Sequence, residues 1–203
     1  MRVSKRLTID ELAERLALSR STIYYWVRDL RIDASDSSRA RRTQAQKRGT
    51  RAMQRKYAAR RELAYREGAA CFEELAQDPT FRDFVCLYIA EGYKRDRNCV
   101  AVGNSDPAVV ALCHRWMSRF SEKRIGLAIQ YHADQDVEEL RRFWGERLDV
   151  VPASITLQRK SNSNQLSGRT WRCRYGVLTV RVGDTMLRAR LGAWMDCLKA
   201  SWG

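Results

Sequence analysis

The sequence predicts an α+β protein in which a helical N-terminal part precedes a part that mixes strands and helices. Apolar residues recur at helical spacing through the first thirty residues. A long basic stretch of helix-forming residues follows. Segments of alternating apolar residues, interleaved with helical patterns, follow residue 80. We therefore divide the 203-residue chain into 1–32, 33–79 and 80–203.

Composition restricts the class of protein. The formal net charge of +14 indicates a polyanionic partner, and an apolar fraction of 44% with six tryptophans suffices for a core. The six cysteines form no Cys-x-x-Cys pair, so we expect mostly buried thiols in a reducing compartment, without disulfides or zinc. We expect no signal peptide, because the N-terminus lacks an apolar core segment. We expect no membrane partner, because no apolar run reaches the roughly 20 residues that span a bilayer.

The first thirty residues predict two short helices joined by a turn. Thr8 and Glu11 have capping-box spacing, and Ser19 is a second cap. We expect the helices to pack through Leu12, Ala13, Leu16, Ile23 and Trp26, with Val27 and Leu30 continuing the apolar stripe. The pattern resembles a small helix-turn-helix family in which a turn ending in Ser precedes Ser-Thr-Ile-Tyr-Tyr-Trp-Val, here Ser21 to Val27.

The outer face of the second helix carries the predicted DNA-binding side chains. A helix N-terminus suits phosphate, Arg pairs with guanine, and Ser or Thr bonds phosphate or base. Tyr24 also points outward in this interpretation, although one of the two tyrosines could pack on a later helix. The candidate contacts are Arg20, Ser21, Thr22, Tyr25 and Arg28.

The connector is basic over more than twenty residues. Between Arg39 and Arg61 there are ten Lys or Arg residues and no Asp or Glu. An ordinary solvated helix face is one interpretation. Charge of one sign repels itself without a counter-charge, so we favour contact with DNA phosphates. The candidate contacts in this stretch are Arg39, Arg41, Arg42, Lys47, Arg48 and Arg51.

A short apolar helix from Phe84 ends on Glu91, and Gly92 is predicted to close it in a left-handed cap. Cys86 and Ala90, four residues apart, leave one face small enough for another helix to approach. One interpretation is a core helix with a solvated carboxylate at its end. The other is a helix–helix contact that carries Glu91 at its end.

Phe84 to Gly92 resembles a degenerate LAGLIDADG motif of homing endonucleases, with Ala90-Glu91-Gly92 at the Ala-Asp-Gly end and Cys86 at the small third position. The resemblance covers roughly 80–203. It implies that two motif helices pack together and that an acidic residue at each end holds a divalent metal at the DNA backbone. Glu91 would then be the catalytic residue and a Mg²⁺ ligand. Cleavage would require a homodimer, because the chain has one motif copy.

The last two strands are predicted to form a hairpin with a polar face, and Gly176 a bulge. A two-stranded ribbon fits the major groove, and Arg, Gln and Asn pair with base edges. The resemblance implies a DNA-reading sheet here, whereas an ordinary solvated sheet face is the alternative. The candidate contacts are Gln158, Lys160, Arg169, Arg172 and Arg174, with Thr156, Arg159 and Arg181 near them.

The sequence therefore predicts a protein that binds double-stranded DNA sequence-specifically. We expect a bacterial or phage transcriptional regulator or repressor with two reading modules, without a cofactor, in the cytoplasm and associated with the nucleoid. The alternative is a Mg²⁺-dependent, homodimeric DNA endonuclease of LAGLIDADG type. RNA binding is a third class, but the polar strands lack the aromatic residues typical of RNA-binding sheets.

Overall fold

The computed structural model describes residue 5 and residues 7–30, 36–160 and 173–203, with side chains in the long third helix described from residue 42 onward. These residues belong to two compact units, Met1–Ala58 and Ala59–Gly203. Among the described residues, no helix combines the length and apolar character needed to cross a membrane.

The N-terminal unit begins with helices α1 (Ile9–Leu16) and α2 (Arg20–Val27). The predicted capping box is confirmed, since the Thr8 hydroxyl accepts the Glu11 N–H and the Glu11 carboxylate accepts the Thr8 N–H. The Ser19 cap is also confirmed, at 3.1 Å from the Thr22 nitrogen. Between the helices, Ala17 takes a left-handed conformation with φ 52°.

The core of this unit is small. Leu7, Leu12 and Ile23 are buried, and Ile9, Ala13 and Val27 pack partly against them. Packing through Leu12 and Ile23 is as predicted, but Leu16 is 42% exposed and Trp26 is 65% exposed. Two helices bury only one narrow stripe, and Trp26 lies a 100° step around α2 from Val27. The prediction that Leu16, Trp26 and Leu30 are core residues is therefore wrong.

The predicted basic connector is one continuous helix, α3 (Asp36–Ala70), which Gly49 does not interrupt. Residues 42–56 are all exposed, so this part of α3 packs no face against the rest of the described chain. Ala64 is buried in the C-terminal unit. The helix thus contributes a solvated half to the first unit and a docked half to the second.

The C-terminal unit has the order of helices and strands that the sequence predicts. A sheet of four strands and the helices share one core. The remaining elements are α4 (Phe72–Leu75), α5 (Pro79–Glu91), β1 (Val100–Asn104), α6 (Pro107–Phe120), β2 (Gly126–Tyr131), α7 (Val137–Leu148), a 3-10 turn (Pro152–Ser154), β3 (Thr156–Arg159), β4 (Val177–Val182) and α8 (Thr185–Ala200).

The strand order is β1-β4-β2-β3, with β4 antiparallel to both neighbours and β2 parallel to β3. The predicted β3–β4 hairpin is wrong, because β2 lies between the two strands. The α7 crossover returns the chain so that β3 runs parallel to β2. Pairing β2 with β4 instead places Leu127 beside Val180 and Ile129 beside Leu178, which buries all four side chains.

The chain just before β4, where the sequence predicts Arg174 on the hairpin and a bulge at Gly176, is not a strand in its described part. Residues 173–176 form a turn in which the Gly176 N–H donates to the Cys173 carbonyl at 3.1 Å. Gly176 has φ +66°, and a Cβ there would lie 2.7 Å from the Gln130 carbonyl oxygen. This glycine closes a turn against β2 and does not form a bulge.

Aromatic residues join the helices of the C-terminal unit. Phe81 on α5 is fully buried, with its ring centroid 5.2 Å from that of Trp116 and 5.1 Å from that of Trp194. The thiols are less uniformly buried than predicted. Cys99 and Cys113 are buried, whereas Cys86 and Cys173 are exposed.

Candidate nucleic-acid interface

The outer face of α2 presents the predicted polar side chains to solvent. Arg20, Ser21, Tyr25 and Arg28 are exposed, and Thr22 is half-buried. The Ser19 hydroxyl lies 2.9 Å from that of Ser21 and 2.7 Å from that of Thr22, which gathers three hydroxyls at the start of the helix.

Two local contacts orient the arginines of this face. Arg20 Nε lies 3.3 Å from Asp10 Oδ1, and both side chains are about 70% or more exposed. The Arg28 guanidinium carbon lies 5.8 Å from the centroid of the Tyr25 ring. Exposed ion pairs are weak, so Arg20 can exchange its carboxylate for a stronger anion.

The solvated half of α3 has a strongly positive surface. The side chains of Arg42, Lys47, Arg48 and Arg51 are exposed, as are those of Arg55 and Lys56. No Asp or Glu occurs between Arg42 and Arg61. Residues 42–61 are called the basic segment below. Arg39 and Arg41 belong to the same helix, but their side chains are outside the described part of the structure.

One face of the sheet is open to solvent and polar. Residues that alternate with the buried strand residues point to it, and its exposed side chains include Gln130, Thr156, Gln158 and Arg181. This surface is called the open sheet face. Small residues form one continuous row across the four strands of this face. They are Gly103, Thr179, Ala128 and Thr156.

The predicted contacts of the last strands are partly gathered at one end of the sheet. Gln158 on β3 is exposed, and the Lys160 N–H donates to the Tyr131 carbonyl at 2.9 Å. Arg174 lies in the turn before β4, not on a strand, and its Nη2 is 3.8 Å from Glu139 Oε1. Arg169 and Arg172 lie outside the described residues.

Gln130 belongs to the open sheet face but is absent from the sequence-predicted set. The alternation of Leu127, Ile129 and Tyr131 already implies that Gln130 points away from the core. What the sequence does not supply is the sheet order, which places β2 directly beside β3.

The end of α5 differs from its predicted geometry. Gly92 has φ −68° and an extended conformation, so the predicted left-handed cap is wrong. Glycine is required there for space, because a Cβ would lie 2.4 Å from the Tyr88 carbonyl oxygen. Lys94 Nζ donates to the Ile89 carbonyl at 2.7 Å, which places a positive charge at the negative end of the helix dipole.

Tyr88 fixes the chain beyond the helix. Its buried hydroxyl donates to the Tyr93 carbonyl at 2.7 Å. Desolvation on burial raises the pKa of Tyr88 to about 12, so this phenol remains a protonated donor at neutral pH. Tyr88 therefore acts in packing.

Glu91 is exposed at the last position of α5. Cys86 and Ala90 are also exposed, so packing inside this chain leaves the small face of the helix uncovered. Among the described residues, no group of three or more His, Cys, Asp or Glu side chains could hold a metal ion. One chain thus supplies Glu91 without a ligand cluster around it.

Two other carboxylates near the candidate site have structural partners. Asp96 accepts the Asn98 N–H at 2.8 Å, which is the main cause of its lowered pKa, and Arg181 lies 3.9 Å away. Asp136 caps α7 by accepting the Glu138 and Glu139 N–H groups at 2.9 and 3.1 Å.

Comparison with protein-family models, with curated proteins and with solved structures finds no match to this chain.

Proposed function

We propose that this protein binds double-stranded DNA sequence-specifically and acts as a transcriptional regulator or repressor with two reading modules, α2 and the open sheet face. The observation that carries the proposal is the basic segment. It is a long helical run whose charged side chains are all cationic, and residues 42–56 are exposed throughout.

Helical structure brings these cations closer together than an extended chain would, because each residue rises only 1.5 Å. Their repulsion destabilises the helix unless an anion compensates it. A duplex carries one phosphate charge per about 1.7 Å of its axis, and binding it releases condensed counterions. DNA is therefore the polyanion whose charge spacing best suits a long cationic helix.

The two modules supply the chemistry that the basic segment lacks. Phosphate contacts position a protein, whereas base-edge contacts specify sequence. On α2, Arg20 and Arg28 accompany exposed hydroxyls, and on the sheet Gln130 and Gln158 accompany Arg181. Each set combines side chains that pair with base edges in the major groove. On this proposal the protein needs no cofactor and is associated with the nucleoid in the cytoplasm.

A metal-dependent homodimeric endonuclease is the second candidate. The observation that favours it is the uncovered face of α5, where Cys86 and Ala90 are exposed and lead to Glu91. A second copy packed on this face would bring two Glu91 carboxylates together. Such a pair would suit Mg²⁺, which prefers oxygen ligands and would supply activation of water for phosphodiester hydrolysis.

The proposed function predicts a steep salt dependence of duplex binding that depends on the basic segment. Each phosphate contact contributes about −0.9 to the slope of log K against log salt concentration. Replacing Arg48 and Arg51 together by Gln should make the slope shallower by up to about 1.8 and weaken all duplexes alike. Fluorescence anisotropy between 50 and 200 mM salt, with a duplex selected for binding from a random pool, measures this slope.

A matched control removes the same charge elsewhere. Arg142 and Arg147 are exposed on α7, and replacing both by Gln should leave the slope unchanged. Equal slopes for the two double variants would reject the basic segment as a phosphate-binding element. Absence of duplex binding at micromolar protein would reject DNA binding altogether.

The same selected duplex distinguishes the two candidates. The regulator should leave it intact with Mg²⁺ or Mn²⁺. Nicking or cleavage that disappears in Glu91→Gln would establish the endonuclease instead.

A further inference from the structure

Parallel pairing of β2 with β3 places two glutamines side by side. Gln130 and Gln158 are register partners on the open sheet face, and both side chains are exposed. Among the described residues, neither side-chain amide has a hydrogen-bond partner. Two adjacent amides thus present donors and acceptors to whatever approaches the sheet.

Their position in the sheet gives them access to a groove. β3 is the edge strand of the described sheet, so β2 and β3 are its outermost pair of strands, and this pair is called the β2–β3 ribbon. Neighbouring strands lie about 4.8 Å apart, and a two-stranded ribbon fits a major groove about 12 Å wide. The next row of the face holds Ala128 and Thr156, which are too short to compete with the glutamines for the groove floor.

The donor and acceptor of a glutamine amide are complementary to the major-groove edge of one base, adenine. A glutamine amide donates and accepts at once, and in the major groove adenine offers an N7 acceptor beside an N6 donor. The two strands lie about 4.8 Å apart and consecutive base pairs about 3.4 Å apart, and flexible glutamine side chains can span a difference of this size. Two such side chains can therefore address consecutive base pairs.

We propose that Gln130 and Gln158 form an adenine-reading pair, so that the DNA site of this protein contains two adjacent A·T pairs contacted by the β2–β3 ribbon. The Thr156 methyl group, one row away, suits the thymine C5-methyl group. This inference rests on the proposed function and assigns base identity to one of its two modules.

Arg181 marks the other end of the face and does not belong to this pair. It aligns with Gly126 on β2 and lies 3.9 Å from Asp96. That carboxylate offers Arg181 a partner inside the protein, whereas the two amides have none among the described residues. Among the described residues, the two glutamine amides therefore keep their full hydrogen-bonding capacity.

The test is selection of bound duplexes from a random pool by the full chain and by the variants Gln130→Ala, Gln158→Ala and Gln77→Ala. Gln77 is exposed between α4 and α5, away from the strands, and serves as the matched control. The wild type and the control should select the same adjacent A·T pairs. Each ribbon variant should lose roughly 5- to 150-fold discrimination at one of the two positions and keep the remainder of the site.

A change of base preference separates reading from folding. Gln158→Arg should shift its position from adenine to guanine, because Arg pairs bidentately with guanine O6 and N7. Circular dichroism of each variant should match the wild type. Duplex binding with unchanged preference in all the ribbon variants would overturn the adenine-reading pair and leave DNA binding standing. If the wild type selects no duplex, the proposed function fails together with it.

Discussion

The two units of this chain reach their structure by different physical routes. The N-terminal unit buries Leu7, Leu12 and Ile23 and leaves Trp26 exposed. The C-terminal unit buries Trp116, Trp144 and Trp194 in one continuous core. The first depends largely on caps and local hydrogen bonds, which contribute about 1 kcal/mol each. The second depends on apolar burial, which contributes about 25 cal/mol per Å².

This difference has a consequence for the proposed DNA binding. The helices that pack together in this unit lie within residues 7–30, and domains below about 40 residues seldom fold without additional stabilisation. A ligand that binds only the folded form stabilises it by mass action, by about 2.7 kcal/mol at a hundred times its Kd. Under the proposed function, DNA binding therefore stabilises the folded form of the first unit. The C-terminal unit, in contrast, presents a sheet that is already ordered before DNA binds.

The largest expected effect concerns the centre of the C-terminal core. Phe81→Ala removes a fully buried ring that contacts Trp116 and Trp194. Loss of burial and the remaining cavity should cost about 3–5 kcal/mol in the free energy of unfolding. Urea unfolding followed by tryptophan fluorescence measures this.

Phe81→Leu keeps most of the volume and should cost clearly less. Amide exchange of residues 8–27 should be unchanged in both variants if the N-terminal unit is stabilised locally. A loss below about 1 kcal/mol for Phe81→Ala would contradict the central place given to this ring.

The next effect separates buried from exposed apolar residues within the N-terminal unit. Ile23→Ala deletes one of three buried side chains and should cost about 2–5 kcal/mol. Trp26→Ala removes a side chain that is 65% exposed and should change stability by less than about 0.5 kcal/mol. Amide exchange across α1 and α2 measures both changes in stability. A loss for Trp26→Ala as large as that for Ile23→Ala would show that Trp26 belongs to the core.

Local signals in the sequence predict the elements well. Thr8 with Glu11 caps one helix and Ser19 caps the next, as expected, because a cap depends on residues three or fewer positions apart. The order of strands and helices after residue 80 also follows from periodicity alone. These features require no knowledge of the tertiary structure.

Features that depend on distant partners are not predictable in this way. The place of β2 between β3 and β4 depends on which apolar strands pair, and that choice involves residues up to 55 positions apart. Gln130 enters the candidate site only through this order. The prediction that Trp26 is buried fails for a related reason, because a helical stripe is buried only when another element covers it.

The smallest effect compares the two halves of α3 through one substitution. Gly68→Ala in the docked half places a Cβ 2.9 Å from the Arg190 Cα atom, and the Trp194 Nε1–H donates to the Gly68 carbonyl at 3.0 Å. Backbone must move to accept the methyl group, so we expect a loss of about 1–3 kcal/mol. Gly49→Ala in the solvated half meets nothing within 4 Å and should stabilise the helix by about 0.5–1 kcal/mol. Urea unfolding and far-ultraviolet circular dichroism measure the pair. Equal effects of the same sign would show that the two halves of α3 are held alike, because only packing against α8 distinguishes these glycines.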